Sequence, residues 1–250
     1  MTTDDENIYI YGKNPVSEAL NSEPERVDKI FVRNSLKDSD ISEIFKLASN
    51  NRIPINHVPG AKLYDLVGSV NDQGVVALMS AVEYRDFGHW LSGIDIEEYP
   101  GILLLDEIED PHNLGAILRS AAAAGISAVL VPKHRQAPIN ATVYKTSAGT
   151  AGKIPIVRVG NLNQCILKLK DAGFWIGGLD ADGDQKLYEL EVDRPLAFII
   201  GNEGSGIRKK TLEHCDYHIT IPMHNNVESL NASVSAALIS YEWRRKKDQS

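Results

Sequence analysis

Residues 196–243 read LAFIIGNEGSGIRKKTLEHCDYHITIPMHNNVESLNASVSAALISYEW, and this stretch carries the densest pattern in the chain. Its apolar run Leu196–Ile200 is typical of a buried strand, and the strand ends in the glycine-rich loop Gly201–Gly206. A second strand is predicted at His218–Met223. In open α/β sheets, ligands bind outside the carboxyl ends of the strands. The stretch therefore predicts a ligand site.

Three polar residues are expected to meet at this site: Glu203, Ser229 and Asn231. Glu203 has the alternative of being a solvent-exposed loop residue, and Ser229 of capping the helix that follows it. The loop does not have the glycine spacing and partner residues of a dinucleotide-binding fingerprint or a P-loop. A glycine-rich loop alone would therefore be weak support for any function.

Strand and helix patterns alternate from Gly101 to the end of the chain. This alternation predicts an α/β fold with a mainly parallel sheet that is covered on both faces. The predicted strands are 102–106, 128–131, 155–159, 175–179, 197–200 and 218–221. The last helix, about 230–245, is expected to pack through Leu230, Val234, Ala237, Leu238 and Tyr241.

Residues 1–80 predict a separate small α/β unit, with residues 1–7 disordered. Residues 81–99 are rich in charged residues and glycine, which indicates a linker with a weak helix around Trp90. Residues 100–250 then form the second domain. Within it, the small-residue stretch Lys145–Ala151 suits either tight helix packing or a cofactor-lining segment.

The composition is ordinary for a globular protein, with 43% hydrophobic and 24% charged residues. No apolar run is long enough to span a bilayer, and the acidic N-terminus does not resemble a signal peptide, so we expect a cytoplasmic protein. Two cysteines provide neither a disulfide framework nor a zinc site, and no metal is expected.

The charge balance, 26 basic against 34 acidic residues, argues mildly against a nucleic-acid partner, because affinity for a phosphate backbone comes from lysine and arginine. Basic clusters at Lys133–Arg135, Arg208–Lys210 and Arg244–Lys247 can still form a local basic face on an acidic protein. Each of them is also typical of a solvated surface. Composition leaves the partner open.

The segment Asp110–Arg119 predicts the start of a helix, with Asp110 as its cap and Gly125 just past its end. Arg119 is the only charged residue from Asn113 to Ala124, and its alternative is an arginine that pairs with a carboxylate or extends to solvent. Six residues turn an ideal helix through about 600°. Asn113 and Arg119 can therefore share a face and act together only if the helix begins after Asn113.

These segments resemble the three motifs of the SpoU/TrmH family of RNA ribose 2′-O-methyltransferases, a part of the SPOUT class. Motif one corresponds to Asn113-x-Gly115-x-x-x-Arg119, and motifs two and three to the segments around Glu203 and Asn231. The stretch Gly12–Leu20 is similar to the start of the family's substrate-binding domain, whose fold resembles ribosomal protein L30e. Asp72 departs from the family pattern, which has histidine there.

The resemblance implies that S-adenosyl-L-methionine is the cofactor and that a ribose in structured RNA is methylated. The bacterial 23S rRNA guanosine-2′-O-methyltransferases are the most similar branch. It also implies a homodimer and a deep trefoil knot. Three alternatives stay open: a tRNA methyltransferase of the same family, a non-catalytic RNA-binding protein and a nucleotide-dependent oxidoreductase.

The resemblance also implies roles for particular residues. Matched by motif position, the catalytic residues are Asn113, Arg119, Glu203, Ser229 and Asn231, and the cofactor-binding residues are Gly201, Ile221 and Leu230. Because a guanidinium is not readily deprotonated, we assign Arg119 to charge stabilisation at the acceptor ribose-phosphate and leave the general base open.

Overall fold

The computed structural model describes residues 8–225 and 227–249, which form two compact units. The first unit contains the described residues up to Val82 together with Ile139–Lys153. The second contains Glu83–Pro138 and the described residues from Ile154 onward. The disorder predicted for residues 1–7 lies outside the described ranges.

Strands and helices alternate along most of the described chain. The strands are β1 (Ile8–Tyr11), β2 (Val27–Arg33), β3 (Ile55–Val58), β4 (Val75–Met79), β5 (Arg85–Asp86), β6 (Gly101–Asp106), β7 (Ala128–Pro132), β8 (Ile156–Val159), β9 (Trp175–Leu179), β10 (Gln185–Lys186), β11 (Leu196–Gly201) and β12 (Tyr217–Thr220). The helices are α1 (Lys13–Ser22), α2 (Ser42–Asn50), α3 (Gly60–Val67), α4 (Phe87–Gly93), α5 (Pro111–Ala124), α6 (Ala141–Thr146), α7 (Leu162–Asp171), α8 (Lys209–Leu212) and α9 (Ala232–Lys247). None of the helices within the described ranges is long and apolar enough to cross a membrane.

The first unit is built on a mixed sheet in the order β1-β4-β2-β3, in which β2 and β3 are parallel and the other described pairs are antiparallel. Helices α1 and α2 pack against each other and share a core with the sheet through residues such as Leu20, Ile30 and Ile44. The small α/β unit predicted at the N-terminus is thereby confirmed.

The segment Ile139–Lys153, which contains α6, packs with the first unit although it lies between β7 and β8 in the chain. The Tyr144 hydroxyl donates a 2.9 Å hydrogen bond to Glu23, whose carboxylate also accepts the Gly152 N–H at 3.1 Å. A Cβ at Gly152 would overlap this carboxylate. The small residues of this segment therefore serve tight packing.

The second unit contains an eight-stranded sheet, entirely parallel among the described residues, in the order β10-β12-β9-β11-β6-β7-β8-β5. The central pair aligns Leu196 with Gly101 and Gly201 with Asp106. All of β6 is buried, as expected for a strand covered on both faces. The predicted parallel α/β fold is confirmed, and the trefoil knot stays a prediction.

Part of the predicted linker belongs to the second unit. Strand β5 pairs with β8 and extends the sheet by one strand. The Asp86 carboxylate then accepts the His89 N–H at 2.9 Å and caps α4, whose Trp90 is buried in the core. Burial of the Trp90 ring therefore stabilises α4, although the local sequence predicts this helix only weakly.

The predicted packing face of α9 is wrong. Val234 and Tyr241 are 46% and 53% exposed, whereas Ala236, Ile239 and Trp243 are buried. Both sets recur at helical spacing, so periodicity does not distinguish them. The buried set wins because its small members let α9 lie close to α5, and because Gly101 leaves room for the Trp243 ring.

Candidate active site

A cavity of about 360 Å³ opens at the carboxyl ends of β9, β11 and β12 in the second unit. The strand ends, the glycine-rich loop and the segment leading into α9 form its walls. Its apolar side includes Leu179, Ile219, Ile221 and Leu230, and its polar side includes Asp180, Glu203, Glu228 and Ser229. Five of the eight residues predicted for the site line it: Gly201, Glu203, Ile221, Ser229 and Leu230.

The glycine-rich loop folds back on itself. The Asn202 N–H donates to Gly206 O at 3.1 Å, and the Gly206 N–H donates to Asn202 O at 2.9 Å. A Cβ at Gly201 would overlap the main chain of Gly206. The Asn202 side chain also donates to the main-chain oxygen of Glu107 at 2.9 Å, which holds the loop beside the end of β6. The cavity edge is therefore main chain that a ligand can approach closely.

Three distant segments meet through one chain of side-chain hydrogen bonds. Asn231 Nδ2 donates to Asn113 Oδ1 at 2.9 Å, and Asn113 Nδ2 donates to Glu203 Oε1 at 2.5 Å. We call this the Glu203–Asn113–Asn231 network. It joins the start of α5, the glycine-rich loop and the start of α9.

The orientation of both amides follows from a main-chain contact. Asn231 Oδ1 accepts the Ser233 N–H at 2.9 Å, so Asn231 Nδ2 is the atom left to face Asn113. Asn113 must then present its oxygen to Asn231 and its nitrogen to Glu203. The Glu203 carboxylate is thus held by a donor on one oxygen, and its other lone pairs can accept a bond from a substrate.

Asn231, and not Ser229, is the N-cap of α9. The helix begins two residues later than a Ser229 cap would require, and Ser229 is exposed at the edge of the cavity. Asn231 therefore has two contacts at once, because its oxygen caps the helix and its nitrogen enters the network. The capping alternative for Ser229 is wrong.

Arg119 lies away from this network in its own chain. Helix α5 begins at Pro111 with Asp110 as its cap, so Asn113 is already helical and the condition for a shared face is not met. Asn113 is buried and Arg119 is exposed. Among the described residues, the Arg119 side chain has no hydrogen-bond or ion-pair partner, and it does not line the cavity. Cooperation of the two residues within one chain is therefore contradicted.

Sequence reasoning missed Asp106, which is 1% exposed at the end of β6. Its carboxylate accepts the Arg208 N–H at 3.0 Å and pairs with the Arg208 guanidinium at 2.6 Å. The available signal was a charged residue directly after the apolar run Ile102–Leu105. An acid in that position is expensive to bury unless it is paired.

The cysteines do not resemble nucleophiles or metal ligands. Burial raises the pKa of Cys165 and of Cys215 to about 12, which keeps both thiols protonated at neutral pH. In the part of the chain that the structure describes, no group of three or more histidine, cysteine, aspartate or glutamate side chains could hold a metal ion.

Two families match this chain. Residues 100–241 match the SpoU rRNA Methylase family, and residues 9–85 match the family described as RNA 2′-O ribose methyltransferase substrate binding. The two matches together span most of both units.

Relatives of similar length exist in staphylococci. A protein of Staphylococcus epidermidis assigned to the TrmH family of tRNA/rRNA methyltransferases is 40% identical over 245 residues, 98% of each chain. A protein of Staphylococcus aureus with the same assignment is 41% identical over 244 residues, 97% of each chain.

Solved structures share the fold. The SpoU methyltransferase AviRb from Streptomyces viridochromogenes, crystallised with AdoMet, has a TM-score of 0.77 and 25% identity. The match covers 97% of this chain and 91% of AviRb. An rRNA methyltransferase from Sinorhizobium meliloti has a TM-score of 0.77 at 20% identity, with 97% and 88% of the two chains covered.

Proposed function

The chain belongs to the SpoU/TrmH family of RNA methyltransferases, and we propose that it methylates the ribose 2′-hydroxyl of a guanosine in 23S rRNA. The methyl donor is S-adenosyl-L-methionine, as in the AviRb complex. The observation that carries the proposal is the Glu203–Asn113–Asn231 network beside the glycine-loop cavity. It concentrates hydrogen-bonding groups where an acceptor hydroxyl has to be oriented.

The cavity fits the proposed cofactor in size and chemistry. Its volume, about 360 Å³, lies within the range of small-molecule pockets, and it combines an apolar wall with a few polar groups. Gly201 would hold the cofactor through main-chain groups, and Ile221 and Leu230 would contact the adenine. The carboxylates of Asp180 and Glu228 suit ribose hydroxyls or the positive charge of the cofactor.

S-adenosyl-L-methionine supplies a methyl group on a sulfonium, ready for direct displacement by an oxygen. A bond would form between the ribose oxygen and the methyl carbon while the carbon–sulfur bond breaks with its electron pair staying on sulfur, and the hydroxyl proton would pass to a general base or to water. The protein must hold oxygen, carbon and sulfur in line. We propose that Asn113, Glu203 and Asn231 orient the ribose. Ser229 would form a hydrogen bond with the bound ligands.

Arg119 would contribute to methyl transfer only in the presence of a second copy of the chain. It is exposed on α5 and does not line the cavity of its own chain, so we propose that it reaches the acceptor ribose-phosphate bound to a partner subunit. The exposed apolar face of α9, which includes Val234 and Tyr241, would form the homodimer contact. Within the described ranges, these two side chains stay about half exposed, as expected of a surface that a partner can cover.

The first unit would select the RNA. Asp72, in place of the family's histidine, is buried and accepts bonds from the Gly74 N–H and the Arg33 guanidinium, both at 2.6 Å. Arg33 remains 42% exposed. Asp72 would thus fix the guanidinium of Arg33, at the end of β2, for contact with the RNA in place of an imidazole.

The test is methyl transfer from labelled S-adenosyl-L-methionine to protein-free 23S rRNA, with tRNA in a parallel reaction. We expect label in 23S rRNA, and nuclease digestion should release 2′-O-methylguanosine. Label in tRNA alone would favour the tRNA alternative, which the names of the staphylococcal relatives also allow. Label on a base, or no transfer to either RNA, would contradict the proposal.

A further inference from the structure

A second cavity, of about 290 Å³, lies at the carboxyl ends of β6, β7 and β8 in the same unit. Glu107, Pro132 and Gly160 at the ends of these strands line it, together with the first turn of α7. The methyl-transfer cavity lies at β9, β11 and β12. The two cavities therefore lie side by side along the carboxyl ends of the strands, one on the β6 side and the other on the β11 side of the central pair.

Two arginines from separate sequence clusters converge at this second cavity. Arg208 Nη1 and Arg135 Nη1 pair with the same atom, Glu107 Oε1, at 3.1 and 3.5 Å. The side chain of Arg135 is 72% exposed. The lining thus carries two guanidinium groups beside the single carboxylate of Glu107, and a second carboxylate, Asp106, pairs with Arg208 from behind the cavity.

Arg208 is held in advance of any ligand. The buried Asp106 carboxylate accepts its N–H and pairs with its guanidinium, while about half of the side chain stays exposed. A guanidinium fixed by carboxylates loses little freedom when it binds an anion. The N-terminus of the ten-residue helix α7, capped by Asn161, adds a partial positive charge on another wall.

We propose that this Arg135–Arg208 cavity binds a backbone phosphate of the RNA close to the ribose that is methylated. The inference rests on the proposed function. Planar guanidinium groups suit phosphate, and phosphate contacts set the register of a nucleic acid on a protein. Asn202 links the two cavities, because it belongs to the glycine-rich loop and donates to Glu107 O. A phosphate held here would place the neighbouring ribose at the methyl-transfer cavity.

The experiment compares Arg135→Gln with the wild-type protein and with Arg194→Gln. Arg194 is also paired with a carboxylate, but it precedes β11 and so lies at the amino ends of the strands, opposite the two cavities. Binding to a 23S rRNA transcript is measured across a range of salt concentrations. Loss of one phosphate contact should weaken binding roughly fivefold and lower the slope of log affinity against log salt by about 0.7. Arg194→Gln should match the wild type, and Arg135→Lys should recover most of the slope.

Two further measurements separate the possible failures. S-adenosyl-L-methionine affinity should be unchanged in Arg135→Gln. If the wild type methylates RNA but Arg135→Gln binds RNA like Arg194→Gln, the phosphate assignment is overturned and the proposed function stands. If the wild type transfers no methyl group to RNA, the proposed function itself fails. Binding of inorganic phosphate that depends on Arg135 but does not compete with the RNA at constant ionic strength would assign the cavity to a free anion and overturn the RNA assignment.

Discussion

Asn231 donates a 2.9 Å hydrogen bond to Asn113 across 118 residues of sequence, and the same Asn231 caps α9 through its oxygen. One side chain therefore couples the start of a helix to the polar centre of the candidate site. Because the two contacts use different atoms, substitutions can separate them.

Asn231→Ser should separate capping from the network. Serine still caps a helix, so the free energy of unfolding should stay within about 0.5 kcal/mol of the wild type, whereas Asn231→Ala should cost about 1 kcal/mol. Both variants lose the bond to Asn113 and should transfer methyl groups much more slowly. Urea unfolding and single-turnover transfer measure the two effects. Full activity of Asn231→Ser would contradict the role of the network.

Arg119→Ala should abolish methyl transfer and leave cofactor affinity within a few-fold, because Arg119 does not line the cofactor cavity of its own chain. Mixing Arg119→Ala with Asn231→Ala tests whether the arginine acts across subunits. Random mixing makes about half of the dimers mixed, and each mixed dimer has one intact site of two. The activity of the mixture should therefore return to about a quarter of the wild type. No recovery in verified mixed dimers would place Arg119 in the site of its own chain.

Gly201→Ala should weaken S-adenosyl-L-methionine binding by about tenfold or more, because its Cβ would overlap Gly206 and force the loop open. Gly204→Ala is the matched control. A Cβ there would meet its nearest neighbour, Asn202 Oδ1, at an ordinary contact distance of 3.6 Å. Calorimetric titration of both variants gives the comparison. Equal affinities would show that the loop does not contact the cofactor.

Tyr144→Phe should destabilise the first unit by about 1–2 kcal/mol. Burial raises the pKa of Glu23 despite the nearby Arg26, and the Tyr144 hydroxyl is one of the donors to its carboxylate. Tyr64→Phe, at an exposed position of the same unit, should change the free energy of unfolding little. Thermal or urea unfolding provides the measurement. If the two variants were equally stable, the Tyr144–Glu23 hydrogen bond would not stabilise the packing of the segment Ile139–Lys153.

Deletion of residues 1–82 should leave cofactor binding intact and abolish selective RNA binding. The cut keeps β5 and α4, which belong to the second unit. Tyr144 would lose its hydrogen-bond acceptor Glu23, and the segment Ile139–Lys153 would lose the unit against which it packs. Limited proteolysis should therefore cleave within this segment in the truncated protein only. Undiminished methylation of 23S rRNA would contradict the role of the first unit.

Cys165 and Cys215 should resist alkylation in the native protein. With a pKa of about 12, only about one thiol in ten thousand is ionised at pH 8. Iodoacetamide at pH 8 should leave the intact mass unchanged over minutes, and unfolding in urea should let both cysteines react. Rapid modification of either cysteine in the native state would be inconsistent with its burial.

The sequence by itself determined the fold class, the glycine-rich loop and the family, since these depend on alternation, apolar runs and motifs that are local in the chain. Only the tertiary structure decided which stripe of α9 is buried, that Arg119 is exposed and does not line the cavity of its own chain, and that Ile139–Lys153 packs with the first unit. Helical spacing defines two candidate faces of α9 equally well. One contains Val234 and Tyr241, and the other contains Ala236, Ile239 and Trp243. The choice between them depends on the volume and polarity of neighbours such as Gly101 and α5, which are more than a hundred residues away in the chain.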